Sequence, residues 1–213
     1  MPHKALAPVA FMVLAVLFSS PVFSQQSDLG NWFIYFSNKQ WKTSWNWHYE
    51  VQYRNYNGDL EQLLLRTGTG YSFTGNNNNV LVGYAFIRSD NYLPGRDKKV
   101  ITREDRIFQQ FITCQNYGRF HLLHRYRFEQ RFIEDDFTMR LRYFLSLNVP
   151  INGPEVLPKV FYLSGYNEIF INTEMSFFDR NRVYGGFGHR VSASLRAEVG
   201  YINQILGTKT RTS

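Results

Sequence analysis

The feature that most constrains this chain is an alternation of apolar and polar residues in runs of about ten. The clearest run covers Ser44 to Tyr56, where the odd positions from Trp45 to Tyr53 are apolar or aromatic and the even positions are polar. Because successive side chains of a β-strand point to opposite faces, a period of two predicts a strand with one apolar and one polar face. Comparable runs, separated by turn sequences such as Asn57-Gly58-Asp59, continue to about Leu206 and predict about ten antiparallel strands.

The length of these runs and the aromatic content favour a barrel that crosses a membrane. A tilted strand spans a bilayer with about 9–11 residues, and aromatic residues make up 17% of the chain. Several aromatic side chains lie toward predicted strand ends, where membrane barrels carry interfacial girdles: Trp32, Trp45, Trp47, Tyr56, Tyr71 and Tyr92. The predicted fold is an all-β, antiparallel, up-and-down transmembrane β-barrel with about 10–12 strands in the complete protein.

Residues 1–24 have the organisation of a secretory signal peptide. A basic start at Lys4, an apolar stretch from Ala5 to Phe18 and a small-residue cleavage site ending at Ser24 follow one another in order. We therefore expect an N-terminal signal helix that is cleaved after export. Residues 25–213 would then form the mature barrel, located in the outer membrane of a Gram-negative cell and surrounded by outer-membrane lipid and lipopolysaccharide.

Arginine and glutamate are concentrated on the polar faces of the predicted strands, often two residues apart. Planar guanidinium groups pair well with carboxylates in confined spaces, so we expect these side chains to line the lumen. The predicted lumen charge network comprises Arg125, Arg127, Glu129, Arg131, Arg140, Arg142, Glu168, Arg182, Arg196 and Glu198. We favour a structural salt-bridge network that fills a narrow barrel; the alternative is a basic passage or pocket for an anionic solute.

The charge distribution and the residue types argue against several other functions. The net charge is +7, but the basic residues are distributed over strands and turns instead of forming one basic face, so we expect no nucleic-acid partner. No histidine or cysteine cluster predicts a metal site, and no glycine-rich phosphate loop predicts a nucleotide cofactor. The sequence therefore predicts neither a metal nor a cofactor.

Five segments form a recognisable series along the chain. The most specific is His124–Phe132, with the sequence HRYRFEQRF; the others are Glu104–Gln110, Arg140–Tyr143, Asn167–Phe170 and Phe178–Arg182. In order and spacing they resemble the DUF2490 family, uncharacterised exported proteins of Bacteroidetes-type bacteria. The resemblance covers essentially the whole mature chain. It implies an outer-membrane β-barrel without an assigned activity, and it transfers no catalytic residue.

The C-terminus departs from what such a barrel leads one to expect. Outer-membrane barrels usually end in an apolar strand with a terminal aromatic residue, whereas this sequence ends in Arg211-Thr212-Ser213. We therefore expect the sequence to lack at least one closing C-terminal strand.

These observations favour a non-enzymatic outer-membrane barrel that acts as a structural protein, a narrow pore or an accessory partner. One alternative is an outer-membrane lipid or ester hydrolase that uses His121 or His48 as its base. A second alternative is a soluble periplasmic ligand-binding barrel, which would place its apolar faces inside. Alternation alone does not say which face is inside, and the oligomeric state stays open.

Overall fold

The computed structural model describes residues 30–56, 59–73, 77–92, 98–173 and 177–207, and the side chain of Tyr56 is outside this description. The predicted signal peptide, residues 1–24, also lies outside it. The ten strands are β1 Asn31–Gln40, β2 Trp45–Tyr56, β3 Asp59–Ser72, β4 Asn78–Tyr92, β5 Lys99–Tyr117, β6 Phe120–Ile133, β7 Asp136–Pro150, β8 Phe161–Asn172, β9 Phe178–Arg190 and β10 Arg196–Leu206. In this part of the chain there is no helix of the length and apolarity that a membrane span requires.

All ten strands belong to one antiparallel sheet, and each strand pairs with its neighbour in the chain, in the order β1 to β10. This arrangement confirms the predicted all-β, up-and-down fold. The sheet curls into a half-barrel, and its curl brings distant strands together. The guanidinium of Arg182 on β9 lies 5.1 Å from the ring centre of Trp32 on β1. Within the described residues, β1 and β10 are the two edges of the sheet.

The even number of strands places both limits of the sheet at the same end, which we call the terminal end. The connections after β2, β4, β6 and β8 lie there as well, and two of them, residues 57–58 and 134–135, consist of two residues. The opposite end, which we call the loop end, carries the connection of residues 151–160 between β7 and β8. Tight turns occur at both ends: Glu134, with φ of 53°, and Gly118, with φ of 58°, adopt the left-handed conformation that such turns use.

The two faces of the curled sheet have opposite chemistry. The concave face buries charged side chains, including Glu129, Arg127 and Arg140, together with a small apolar cluster of Leu64, Ala85 and Ile87. The convex face exposes large apolar and aromatic side chains on most strands: Tyr35, Trp47, Val82, Ile107, Phe111, Tyr126, Leu141, Leu163, Phe187 and Val199. The polar side of the sequence alternation is therefore the inner side.

Candidate functional site

The centre of the concave face is Glu129 on β6, whose side chain is 1% exposed. Its carboxylate accepts hydrogen bonds from Arg140 Nη2 at 2.8 Å and from Arg142 Nη1 at 2.6 Å, both on the neighbouring strand β7. Arg106 Nη1 on β5 and Arg127 Nη1 on β6 lie 3.6 and 3.8 Å from its oxygens. One carboxylate is therefore surrounded by four guanidinium groups, an arrangement that holds β5, β6 and β7 in register.

Glu168 on β8 extends this arrangement toward the next strands. Its Oε1 accepts hydrogen bonds from Arg142 Nη2 at 2.7 Å and from Arg125 Nη2 at 2.9 Å, and Arg182 Nη1 lies 3.8 Å from Oε2. Arg142 therefore bridges the two central glutamates. The ring of Phe170 lies beneath, with its centre 4.4 Å from the Arg142 guanidinium and 4.6 Å from that of Arg182, at distances where cation–π attraction contributes.

Further carboxylates extend the ion pairs to the other strands. Glu104 on β5 accepts hydrogen bonds from Arg106 Nη2 at 2.9 Å and from Arg131 Nη2 at 3.1 Å. Asp179 on β9 accepts a hydrogen bond from Arg140 Nη1 at 3.1 Å and thereby links two strands that are not neighbours. The chain of pairs through Arg106, Glu129 and Arg140 thus runs without a break from β5 to β9, and we call it the ion network.

Two arginines near the first strands stand apart from the ion network. Arg66 on β3 pairs with Glu50 on β2. Arg54 on β2 lies with its guanidinium 3.6 Å from the ring centre of Trp32, and no carboxylate of the described residues lies within 4 Å of it. The Nε atoms of both arginines are buried, and neither has a hydrogen-bond acceptor in that part of the chain.

These side chains line a partly open cavity of about 160 Å³ in the terminal half of the concave face. Eight arginines from six strands line it, together with a single carboxylate, that of Glu104. We call this cavity the arginine chamber. Its remaining lining is neutral and includes Gln52, Gln62 and Phe170.

The ten residues predicted from the sequence are placed in two groups. Eight of them lie together in the ion network: Arg125, Arg127, Glu129, Arg131, Arg140, Arg142, Glu168 and Arg182. Arg196 and Glu198 lie instead on the exposed loop end of the edge strand β10. Glu198 accepts a hydrogen bond from Tyr162 at 3.0 Å, and neither residue has an ion pair with the network.

Five further residues of the concave face, on β2, β3 and β5, are missing from the set predicted from the sequence. Glu50, Arg54, Arg66, Glu104 and Arg106 all occupy the concave face. The signal that could have found them is the parity of the alternation, because each lies on the polar face of its strand. The noisier pattern of β5 concealed Glu104 and Arg106, although their strand is the longest in the sheet.

The two histidines considered as the base of a hydrolase, His48 and His121, lie within hydrogen-bond distance of asparagine or glutamate side chains. His48 Nδ1 lies 2.8 Å from Asn38 Oδ1, and His48 Nε2 lies 3.4 Å from Glu50. His121 Nδ1 lies 2.9 Å from Asn116 Oδ1. In the described ranges, neither ring is hydrogen-bonded to a serine, threonine or cysteine, the pairing that an activated nucleophile needs. The same residues contain no group of three or more metal-ligating side chains.

The structure shows where the aromatic residues predicted at strand ends lie. Trp45 and Tyr71 pack edge to face at 5.2 Å near the loop end, and Tyr92 is exposed near the terminal end. Trp32 lies on the concave face and donates a hydrogen bond from Nε1 to Gln52 Oε1 at 3.2 Å. The Tyr56 side chain lies outside the described residues.

The terminal rim carries a polar cluster beside Tyr92. Its hydroxyl donates a hydrogen bond to Asp59 Oδ2 at 2.8 Å, and Lys99 Nζ lies 2.6 Å from Asp59 Oδ1. The hydrogen bond from Lys99 lowers the pKa of the Asp59 carboxyl below its ordinary value, and the same contact raises the pKa of Lys99. Ionised groups on this rim limit the apolar surface of the convex face.

Comparison with known proteins gives one match. The family model DUF2490, described as a protein of unknown function, matches residues 29–213. No curated protein and no solved structure matches the chain.

Proposed function

This chain belongs to the DUF2490 family, and we propose that it acts as a closed β-barrel spanning the outer membrane of a Gram-negative cell, with an interior blocked by its ion network. In this proposal it is a structural or accessory component of the membrane, and it neither conducts solutes nor catalyses a reaction. The observation that carries the proposal is the opposite chemistry of the two faces of one sheet.

The convex face has the composition of a lipid-facing surface. Leu163 on β8 is 54% exposed and Val199 on β10 is 74% exposed. Exposed large apolar side chains also occur on the other strands of the sheet. Soluble proteins rarely expose a continuous apolar patch of more than a few hundred Å². Lipid and lipopolysaccharide acyl chains would cover this surface. A groove of about 730 Å³, lined mainly by convex-face side chains such as Phe111 and Tyr126, has a suitable size for them.

The concave face argues against the soluble alternative. A water-soluble ligand-binding barrel keeps its apolar side chains inside and its charges outside. Here Glu129, Arg127 and Arg140 are buried on the inside, and the apolar side chains are outside. Water would have to solvate the apolar face while the charges lost their hydration, an arrangement that is unfavourable on both sides of the sheet.

The edges of the sheet support closure of the barrel. In a bilayer, unpaired backbone N–H and C=O groups each cost several kcal/mol, so spanning sheets close on themselves. The contact between Trp32 on β1 and Arg182 on β9 brings the two margins of the sheet near each other. Arg182 also donates a hydrogen bond to Gln204 on β10 at 2.8 Å. We therefore propose that the sheet closes into a barrel in the membrane between its β1 and β10 margins.

The connections favour one orientation. Outer-membrane barrels have short periplasmic turns and longer extracellular loops. The longest connection, residues 151–160, lies at the loop end, and two of the four connections at the terminal end, 57–58 and 134–135, have only two residues. We propose that the terminal end faces the periplasm, where an exported N-terminus first arrives.

The ion network occupies the place where a pore would run. Arg142 joins Glu129 to Glu168, and Arg140 joins Glu129 to Asp179, so charged side chains from β5 to β9 fill the concave face. A barrel of about ten strands has little interior space beyond its own side chains. We therefore expect the closed barrel to carry no steady ionic current.

Two measurements on the full chain test this proposal. Fractionation of cells and gel mobility with and without heating should place the protein in the outer membrane and show the mobility change of a folded barrel. Planar-bilayer recording should show no steady unitary conductance. Recovery of the protein in the soluble periplasmic fraction would overturn the membrane proposal, and a steady conductance would overturn the blocked interior.

A further inference from the structure

The arginines of the concave face outnumber the carboxylates that neutralise them. Arg54 and Arg66 add to the eight arginines of the ion network, which include Arg180 beside Asp179. In the part of the chain that the structure describes, the carboxylates within 4 Å of any of these ten are those of Glu50, Glu104, Glu129, Glu168 and Asp179. Ten guanidinium groups against five carboxylates leave an excess of five positive charges. Charges withdrawn from water are stable only when a counter-charge or a polar partner compensates them.

The excess is concentrated around the arginine chamber. Eight of the ten arginines line it, and Glu104 is the one carboxylate among its lining residues. Among the described residues, Arg54 has no carboxylate within 4 Å, and Arg182 has Glu168 only at 3.8 Å. The positive charge of the chamber wall is therefore least compensated at Arg54 on β2 and at Arg182 on β9.

Hydrogen-bond donors at the chamber also lack acceptors. The buried Nε atoms of Arg54 and Arg66 have no acceptor in the described residues. The Arg66 side chain is 3% exposed, so bulk water does not solvate it. Guanidinium donors in this setting are typical of sites that bind oxyanions, since their planar forks match the oxygens of phosphate and carboxylate groups.

We propose that the arginine chamber binds a small, multiply charged phosphate anion of the size of phosphate or pyrophosphate. The volume of about 160 Å³ equals that of about five water molecules, which suits an ion of this size. The donors converge from six strands, so an ion with oxygens pointing in several directions uses them better than a planar carboxylate does. The excess of positive charge in the chamber wall favours an anion that carries more than one negative charge.

The anion would also stabilise the fold, because it binds where β2, β3 and β9 approach one another. Arg54 and Arg66 reach the chamber from one side and Arg182 from the other. This inference does not depend on insertion into a membrane, since the chamber is formed by the curled sheet itself. A phosphate-binding barrel found in the periplasm would overturn the membrane proposal and leave this inference intact.

The test is calorimetric titration of the folded full chain, in a non-ionic detergent and a phosphate-free buffer, with pyrophosphate, phosphate and citrate. We expect saturable binding of one pyrophosphate, weaker binding of phosphate and still weaker binding of citrate. Arg54→Gln should lower the affinity for pyrophosphate about tenfold or more, since it removes a charged donor without leaving a carboxylate unpaired. Arg196→Gln, which removes the same charge from the exposed loop end, should leave the affinity unchanged.

Several results would overturn the proposal. Absence of binding in the wild-type chain would do so, as would an equal loss of affinity in both variants, which would indicate unspecific attraction to a basic protein. Tighter binding of citrate would overturn the assignment to phosphate. Displacement of pyrophosphate by phosphatidylglycerol added to the micelles would assign the site to a lipid headgroup instead of a free anion.

A measurement on the wild-type chain keeps the test valid if Arg54→Gln fails to fold. Saturating pyrophosphate should raise the unfolding temperature of the wild-type chain, as expected for a ligand that binds only the folded state. Sodium chloride at the same ionic strength should not raise the unfolding temperature. An unchanged unfolding temperature in pyrophosphate would contradict the proposal independently of any variant.

Discussion

The concave and convex faces are built from the same strands, yet they place opposite demands on their side chains. On β7, Arg140 and Arg142 point inward and are nearly buried, while Leu141 between them points outward and is 48% exposed. Adjacent residues of one strand thus lie in different environments. Because the side-chain period of a strand is two, a shift of one residue in register would exchange these environments along the whole strand.

The comparison shows what fixes the register of this sheet. On the concave face the ion pairs are specific, since Glu129 accepts hydrogen bonds from both Arg140 and Arg142. If the convex face contacts lipid, as proposed, one large apolar side chain there can replace another. The ion pairs of the concave face would then fix the register, and the convex face would only have to remain apolar.

The largest effect is expected from Glu129→Gln. Four guanidinium groups would lose the carboxylate that they surround, and breaking a buried ion pair costs about 3–5 kcal/mol. Unfolding by urea of the chain reconstituted in lipid vesicles measures this loss. Glu198→Gln, on the exposed loop end of β10, should change the free energy of unfolding by less than about 0.5 kcal/mol.

A double variant separates charge from packing at the same position. If unpaired charge causes the loss, Glu129→Gln combined with Arg140→Gln should recover part of the stability lost in Glu129→Gln alone. A strictly additive double variant would show that the two side chains do not depend on each other.

The second effect concerns Leu141 on the convex face. An arginine at the middle of a lipid-facing strand costs about 2–4 kcal/mol, and near the interface about 0–1 kcal/mol. Leu141→Arg should therefore destabilise the chain strongly in lipid vesicles, whereas Tyr92→Arg on the terminal rim should have little effect. In water, a charge on an exposed position is normally tolerated, so a harmless Leu141→Arg would show that this face does not contact lipid.

A smaller effect follows from a close approach on the concave face. A methyl group on Gly83 would come within 2.6 Å of the Phe108 ring and would also meet the backbone of β3, so Gly83→Ala should cost about 1–3 kcal/mol through overpacking. Gly185 on the convex side of β9 has nothing within 4 Å of that position. Gly185→Ala should therefore be tolerated. Equal losses of stability in Gly83→Ala and Gly185→Ala would contradict this expected difference between the two faces.

The smallest effect is expected at the terminal rim. The contact with Lys99 lowers the pKa of Asp59, so this carboxyl stabilises the fold above its ordinary pKa, and the contribution disappears as the pH falls through the lowered value. Asp59→Asn should be slightly less stable than the wild-type chain at pH 6, and the two should converge in strong acid. Asp135→Asn, in the exposed turn before β7, is the control and should show no such convergence.

The sequence predicted the fold well because its strongest signal was geometric. Alternation from Trp45 to Tyr53 required a strand, and the turn sequences required antiparallel neighbours, so ten strands in chain order could be read from the residues. Alternation alone does not say which face lies inside, and the prediction that the charged face does so depended on the residue types. Burial of Glu129 and exposure of Leu141 supply that information.

The site was harder to predict, because strands that are far apart in sequence meet only through the curl of the sheet. Arg54 and Arg182 are separated by most of the chain, yet both contact Trp32. Trp32 lies at a strand end but on the concave face beside Arg54, and its position along the strand does not reveal which face it occupies. Arg196 and Glu198 follow the same parity as the network, and only their position at the loop end of an edge strand separates them from it.

The central claim, that the convex face contacts lipid, is tested most directly by spin labelling. With the single cysteine, Cys114, replaced by serine, a nitroxide is attached at Leu141→Cys or at Asp135→Cys in the full chain reconstituted in lipid vesicles. We predict that the label at position 141 is relaxed more by oxygen, which concentrates in lipid, than by a water-soluble nickel chelate, and that the label at position 135 shows the reverse. Equal access of the nickel chelate to both positions would contradict the claim.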